Sequence, residues 1–307
     1  AKKGEFKPKD DCLYFEVDSF LPESDERFAF LAGRGAQTNG GGNKGYRLRT
    51  IKLRGQLSQG LALPVSMFPE VFDLPEGLID EIAEFIGVTK WEPALPVQLA
   101  GQAKGYFPEF LRKTDQERVQ NMPWVLEDEG EWEITQKLDG SSCPIVFKDG
   151  AFGVCSRTRE LKDTEGNSFW NIAKAYSIGH RLASLGMNVA LQGELVGPGV
   201  QGNIHKLPML DLYIFDIWLI DDQRYATPNE RDRLMHTEQL SGLKHVPLVE
   251  IGTLDHIRTL DSALSFADRV EDQICTSNKM PEGLVFKKMD GSKSFKIISN
   301  RYLLKEK

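Results

Sequence analysis

The stretch EITQKLDGSSCPIVFKDG, residues 133 to 150, constrains the fold more than any other part of the chain. Apolar and polar residues alternate on both sides of Asp139-Gly140-Ser141-Ser142, the pattern of two half-buried strands joined by a tight turn. A buried β-hairpin is expected, with Lys137 at the end of its first strand, two positions before Asp139. Placing an ammonium beside a carboxylate in such a setting is costly unless the pair is held by further interactions. By itself, however, Lys-x-Asp-Gly is also what an ordinary hairpin turn looks like.

The same alternation recurs along the chain. From Cys12 to Leu63 the text reads CLYFEVDSFL, then a Gly/Asn-rich interruption, then YRLRTIKLRGQLSQGLALP, which predicts a small antiparallel barrel with a bulge where the phase slips at Thr50-Ile51. Lys44, Arg47, Arg49, Lys52 and Arg54 fall here without an intervening acid, either as a solvated strand face or as a surface for an anionic ligand. The glycine-rich interruption lacks the GK[ST] ending of a phosphate-binding loop and reads as a hairpin loop. A proline-rich connector follows, with one short helical candidate, PEGLIDEIAEFIG, closing at Gly87.

From about residue 106, strands are expected at EWEITQK, PIVFK, AFGVCS, NVALQGELVG, LDLYIFDIW and GLVFKK. Helices are expected at SFWNIAKAYSIGHRLASLG, closed by Gly186, and at TPNERDRLMHTEQL. The second has Thr227 as cap, Pro228 in its first turn and Glu230 completing a capping box. The expected class is α+β on antiparallel sheet, with 1–105 as barrel and connector and 106–307 as a second domain.

Composition narrows the partners little. The 307 residues carry a net charge of -7, so a nucleic-acid partner would need a local basic surface. Four cysteines without a CxxC pair and five isolated histidines suggest neither a zinc cage nor a disulfide framework. No apolar run reaches the roughly 18 residues of a membrane span, and the opening AKKGEF has no signal-peptide core. The expectation is a protein inside the cell, cytoplasmic or nuclear. An upstream piece is also expected, because the sequence opens at Ala1 and passes at once into strand-like text.

Several strands carry charged groups in apolar surroundings. Glu194 sits between the glycines of GELVG, which should let a ligand approach the backbone. Phe215 and Asp216 sit in an apolar run, Glu282 follows the turn residue Pro281, and Lys287 and Lys296 come soon after. One lysine in a strand, three carboxylates and two further lysines would repel or neutralise one another without an ordered, multiply charged ligand among them. A nucleoside triphosphate with a divalent metal is such a ligand. An ε-amine attacks phosphorus only when unprotonated, and its ordinary pKa of about 10.4 must first be lowered by burial or a nearby cation. On this reading Asp139, Glu194 and Glu282 hold the metal directly or through its waters. Lys287 and Lys296 neutralise the α-phosphate, and Phe215 stacks on the base.

The ordered set KLDG at 137, SR at 156, GELVG at 193, YIFDIW at 213, EGLVFK at 282 and SFK at 294 resembles the covalent lysyl nucleotidyltransferases, the superfamily of polynucleotide ligases and capping enzymes. The likeness covers about 106 to 307 and implies an ATP-grasp-like ligase domain. DNA ligases and capping enzymes usually have arginine where this chain has Ser142, whereas RNA ligases tolerate the change. FPEFLRKTDQERVQN and SNRYLLK are similar to ATP-dependent RNA ligases, and a barrel placed in front resembles the clade numbered fifth among RNA ligases, found in bacteria and protists. That resemblance implies Lys137 as the site of AMP attachment, with Lys287 and Lys296 as catalytic partners. Gln136, Asp139, Arg157, Glu194, Phe215, Glu282, Lys287 and Lys296 would contact the nucleotide, and Asp139, Glu194 and Glu282 would surround Mg2+ or Mn2+.

It further implies sealing of 3'-OH/5'-phosphate nicks in duplex RNA or RNA/DNA hybrid through lysyl-AMP and RNA-adenylate. A monomer with no membrane and no obligatory protein partner would suffice. Arg118 and Lys113 could contact the RNA end or lie on a helix surface. One departure is Ile298, where the family's last motif often has a second lysine. A GTP-using capping enzyme and an inactive OB-type binder are the competing readings.

Overall fold

The structure is a computed structural model and describes residues 5–53, 55–73, 82–92, 101–275 and 281–305. The chain divides into two compact units, Ala1–Ala100 and Gly101–Lys307. In the first, β1 (Cys12–Glu16) pairs antiparallel with β7 (Gly60–Pro64). A four-stranded sheet runs β3 (Gln37–Thr38), β4 (Lys44–Arg47), β2 (Ser19–Pro22), β8 (Thr89–Lys90). A separate hairpin joins β5 (Ile51–Leu53) to β6 (Gln56–Ser58). The inward residues of these short strands, with Phe28 and Phe68 from the connections, make one core in which Phe15 meets Phe28 edge-on at 5.7 Å.

Two expectations for this unit change. The phase slip at Thr50-Ile51 is a break between strands in different sheets, not a bulge within one strand. The basic residues therefore do not form one face: Lys44 and Arg47 are on β4, Lys52 is on β5, and the Arg47 guanidinium is held by Asp18 at 2.7 Å. Arg54 lies outside the described residues. Of PEGLIDEIAEFIG, the described part is helical over Ile82–Phe85 and closes at Gly87 with φ of 70°.

Among the described residues the second unit holds two sheets and a small ribbon. The ribbon pairs β9 (Ala103–Tyr106) with β14 (Arg159–Leu161). The first sheet runs β10 (Glu117–Arg118), β21 (Ser294–Ile298), β20 (Gly283–Lys288), β11 (Trp132–Lys137), β19 (Leu248–Gly252), antiparallel except for β10 beside β21. The second runs β13 (Ala151–Val154), β12 (Ser141–Lys148), β15 (Val189–Val196), β16 (Asp211–Leu219), β17 (Arg224–Tyr225). There β18 (Lys244–His245) lies parallel to β16.

The expected hairpin around Asp139-Gly140 is not one. Its two strands are consecutive in sequence, but β11 pairs with β19 and β20 while β12 pairs with β13 and β15. The turn carries the chain from one sheet to the other. Gly140 is required there, because a Cβ would lie 2.4 Å from the Leu195 carbonyl of β15.

The helical reading of 168–186 is also corrected. Two helices, Ser168–Ala175 and Ile178–Leu185, are separated at Ser177, whose φ of 51° is left-handed. Tyr176 is held by its hydroxyl on Asp211 at 2.6 Å, and Arg181 donates to the Tyr176 carbonyl, so side-chain bonds fix the break. The helix Pro228–Met235 has the expected Thr227/Glu230 capping box. A second helix, Leu260–Arg269, is capped by Thr259 and Ser262 in the same way. Among the described residues no helix is long and apolar enough to cross a membrane.

Candidate active site

Period-two alternation in the first sheet sorts its residues into a core face and a charged face. Trp132, Ile134, Leu284, Phe286, Phe295 and Ile297 pack into a buried core against the helix Leu260–Arg269. The residues between them form three cross-strand rows: Glu133 with Lys287 and Ser294, Thr135 with Val285 and Lys296, and Lys137 with Gly283 and Ile298. Thus the lysines separated by about half the chain share one face because each stands at the same parity of its strand.

The second sheet supplies the facing groups. Glu194 on β15 pairs with Ser142 and Tyr213, and its carboxylate accepts from the Gly140 N–H. Between Gln192/Asp216 and Gly193/Ile214 the register shifts, leaving Phe215 as the extra residue of a bulge. The Phe215 carbonyl accepts from Lys287 Nζ at 2.5 Å, and Asp216 Oδ2 accepts from the same ammonium at 2.8 Å. That ammonium stands 5.9 Å from the Phe215 ring centroid. The half-buried ring itself packs against the buried cluster of Leu138, Val196 and Val246.

The glycines of GELVG, expected to let a ligand approach, are also required by the protein's own packing. A Cβ at Gly193 would lie 2.8 Å from Leu212 Cδ1, and one at Gly197 would lie 2.6 Å from the Met209 carbonyl. They admit the neighbouring strand and its side chains.

Lys137 Nζ donates to Glu282 Oε2 at 2.5 Å. Burial pushes the lysine pKa down, but Glu282, Glu194 and Asp139 outweigh it and hold the group above its ordinary value. For Glu194, burial, reinforced by Glu282 and Asp139, outweighs the pull of Lys137 and raises the pKa to about 8. Burial and Asp139 likewise raise Glu282. Lys287 is lowered, first by burial and then by the nearby Arg231, although Asp216 opposes the shift. Arg231 is itself buried against Glu133, with its other nitrogen 4.0 Å from Asp216.

Three acidic side chains crowd one ammonium, and the upward shifts of Glu194 and Glu282 mark a site whose carboxyls ionise fully only with further positive charge, which fits a cation of charge two or more. The carboxylates do not form a closed cage: among the described residues no three Asp, Glu, His or Cys side chains are grouped closely enough to hold a metal ion. Asp139 Oδ2 accepts from the Tyr302 hydroxyl at 2.6 Å, and Glu282 is on Lys137. This donor set suits a hydrated ion held through its waters.

Other expected residues are placed as follows. Lys296 donates to Asp115 Oδ1 at 2.8 Å, and Arg157 reaches Asp115 Oδ2 at 3.5 Å, so one carboxylate joins the two cations. Arg118 pairs in register with Lys296, while Lys113 is exposed. Ile298 is buried in the row of Lys137. Gln136, expected at the nucleotide, is only 1 % exposed and faces the opposite way. Its amide nitrogen donates to Asp272 and its oxygen accepts from the Gln273 N–H. Asp115, His205, Asp272 and Tyr302 escaped the sequence reading. They come from loops and a terminal helix, where no periodic pattern marks them.

Comparison with known proteins adds a family. A family model described as RNA ligase matches residues 130–298, and one described as an OB-fold domain matches residues 1–65. No curated protein matches the chain. Among solved structures, a lysine-to-methionine mutant of Naegleria gruberi RNA ligase with AMP and Mn is 44 % identical. The match covers 99 % of this chain and 89 % of that one, at TM-score 0.87. A lysine-to-alanine mutant of the same ligase with ATP and Mn gives the same four values, 44 %, 99 %, 89 % and 0.87. The Naegleria ligase with PPi gives 43 % identity, 100 % and 89 % coverage, and TM-score 0.86.

Proposed function

This chain belongs to the RNA ligase family, and from that premise we propose that it seals 3'-OH/5'-phosphate nicks in duplex RNA, or in duplexes with DNA on the 5'-phosphate side, at the expense of ATP. The observation that carries the reading is the charged face opposite the Phe215 bulge. There Lys137 stands among three carboxylates, and Lys287 and Lys296 lie on neighbouring strands of the same sheet face. The Naegleria ligase, whose structures hold ATP, AMP, manganese or pyrophosphate, supports the choice of nucleotide and metal.

Lys137 attacks the α-phosphorus of ATP, and pyrophosphate leaves. The attack needs the neutral amine, and Glu282 Oε2, 2.5 Å away, stands where the proton can go. Mg2+ or Mn2+, when bound beside Asp139, Glu194 and Glu282, supplies the positive charge that offsets these carboxylates and lowers the lysine pKa. Lys287 is held in place by Phe215 and Asp216 and neutralises charge on the α-phosphate, as does Lys296 from the adjacent strand. Phe215 stacks on the adenine, and Arg157 stands near the ribose or the strand end. AMP then passes from Lys137 Nζ to an oxygen of the RNA 5'-phosphate. In the last step the 3'-OH attacks that phosphorus, and AMP leaves as the strand closes. A single chain carries every one of these groups, so a monomer working in the cytoplasm or nucleus suffices.

Incubation with a nicked RNA duplex tests the reading. Ligated strand should form with ATP and Mg2+ or Mn2+, fail with GTP, and vanish on chelation with EDTA. DNA should be accepted on the 5'-phosphate side and rejected on the 3'-OH side. Sealing supported by GTP alone, or equal sealing of all-DNA nicks, would refute it.

A further inference from the structure

Asp272 and His205 lie in loops that none of the nucleotidyltransferase motifs includes, yet both are almost fully buried, at 7 % and 2 % exposure. They tie down the segment around Lys137 on both sides. On the N-terminal side, Gln136 Nε2 donates to Asp272 Oδ1 at 2.6 Å. On the C-terminal side, His205 Nε2 lies 3.2 Å from the Asp139 backbone nitrogen, and His205 Nδ1 lies 2.7 Å from Asp272 Oδ2. The same Asp272 Oδ1 also accepts from the Ile274 N–H, which fixes the carboxylate in its loop.

A backbone N–H can only donate, so Nε2 accepts and carries no proton, and the ring proton sits on Nδ1, donated to Asp272. Both oxygens of one carboxylate are thereby spent on the nucleophile's two flanks. The Asp139-Gly140 turn joins two different sheets, and no strand ladder fixes it.

We propose that Asp272, acting through His205 and Gln136, is the positioning group that sets where Lys137 and Asp139 stand for attack on the nucleotide. The proposal rests on the ligase reading. In this role His205 and Asp272 act through the turn, by way of the Asp139 N–H and the Gln136 amide, and not as ligands of nucleotide or metal.

Two readouts on the full chain separate this role from general folding. The first is amide hydrogen exchange at Asp139 by NMR: protected in the wild type, faster in His205→Ala, and partly protected in His205→Gln, whose side-chain oxygen can replace Nε2. The second is lysine adenylylation followed against metal concentration. His205→Ala and Asp272→Asn should lose roughly tenfold or more in rate, the expectation for one lost buried hydrogen bond of about 1.5 kcal/mol. They should also need several-fold more metal for half-maximal rate, with His205→Gln in between. Wild-type rate and metal dependence in His205→Ala would overturn the proposal, as would equal losses in the Ala and Gln variants with an unchanged metal requirement. A protected Asp139 amide in wild-type protein that takes no label would instead count against the ligase reading.

Discussion

Asp216→Asn should expose how the charged face is held together. Lys287, Asp216, Arg231 and Glu133 form a buried group of two cations and two anions: Lys287 Nζ is 2.8 Å from Asp216, and Arg231 is bonded to Glu133 and 4.0 Å from Asp216. Removing the Asp216 charge leaves two cations facing one carboxylate. Breaking a buried pair in this way costs about 3–5 kcal/mol. At about 2–4 °C per kcal/mol for a unit of this size, the melting temperature should fall by roughly 6–20 °C. Lys287→Met alone should destabilise comparably, since it strands Asp216.

The double variant Asp216→Asn/Lys287→Met keeps Arg231 with Glu133 and loses one charge of each sign. It should recover most of the stability, to within about 1–2 kcal/mol of wild type. It should nevertheless stay defective in adenylylation, because the ammonium meant for the α-phosphate is gone. Thermal melts and adenylylation rates of the four proteins form the cycle. Additive destabilisation in the double variant, or a change under about 1 °C for Asp216→Asn, would show that these four charges do not stand or fall as one buried group.

Three further expectations are checked more simply. Burial, then Arg231, pushes the His245 pKa down from 6.5 to about 4, so the folded chain refuses a proton that the unfolded chain binds. Stability attached to this group is whole above pH 6.5 and drains as pH falls towards 4, by about 3 kcal/mol in all. The gap in melting temperature between pH 7.5 and 5 should therefore shrink in His245→Gln relative to wild type. Tyr302→Phe removes the bond to Asp139 Oδ2 and should slow adenylylation most at limiting metal, by roughly 10-fold, while the melt stays within a few degrees. Ser177→Gly relieves a left-handed φ of 51° and should stabilise the chain by about 1 kcal/mol, read as a higher denaturant midpoint at constant slope.

The first sheet was legible because WEITQK and GLVFKK alternate at most positions, placing Trp132, Ile134, Leu284 and Phe286 on the core face and Glu133, Lys137 and Lys287 on the other, with Gln136 and Val285 as the exceptions. The second sheet was harder to read. LDLYIFDIWL is apolar but for Asp211 and Asp216, with no period-two alternation, so the bulge at Phe215 leaves no mark in the pattern, yet it brings both the Phe215 carbonyl and Asp216 onto Lys287. A turn such as Asp139-Gly140 looks the same whether its strands pair with each other or part into two sheets, which is why it read as a hairpin.

The groups that brace the site were invisible for a further reason. Asp115 meets Lys296 across 181 residues, Tyr302 meets Asp139 across 163, and Asp272 meets Gln136 across 136. Asp115 and Asp272 sit in loops and Tyr302 in a short helix, Asn300–Lys305, where no periodic pattern marks the side chain that reaches the site. Gln136 shows the converse: the family resemblance implies the nucleotide for it, and strand parity carries its side chain to Asp272 and Gln273 on the other face.

The proposed activity rests first on attachment of AMP to Lys137. Wild-type protein and Lys137→Ala would be incubated with ATP labelled at the α-phosphate and with Mg2+ or Mn2+, with labelled GTP alongside, then denatured, digested and mapped. Label is expected from ATP alone, on the wild type alone, confined to the peptide that contains Lys137. Label on another peptide, equal label on the variant, or no label on a folded wild type would contradict it.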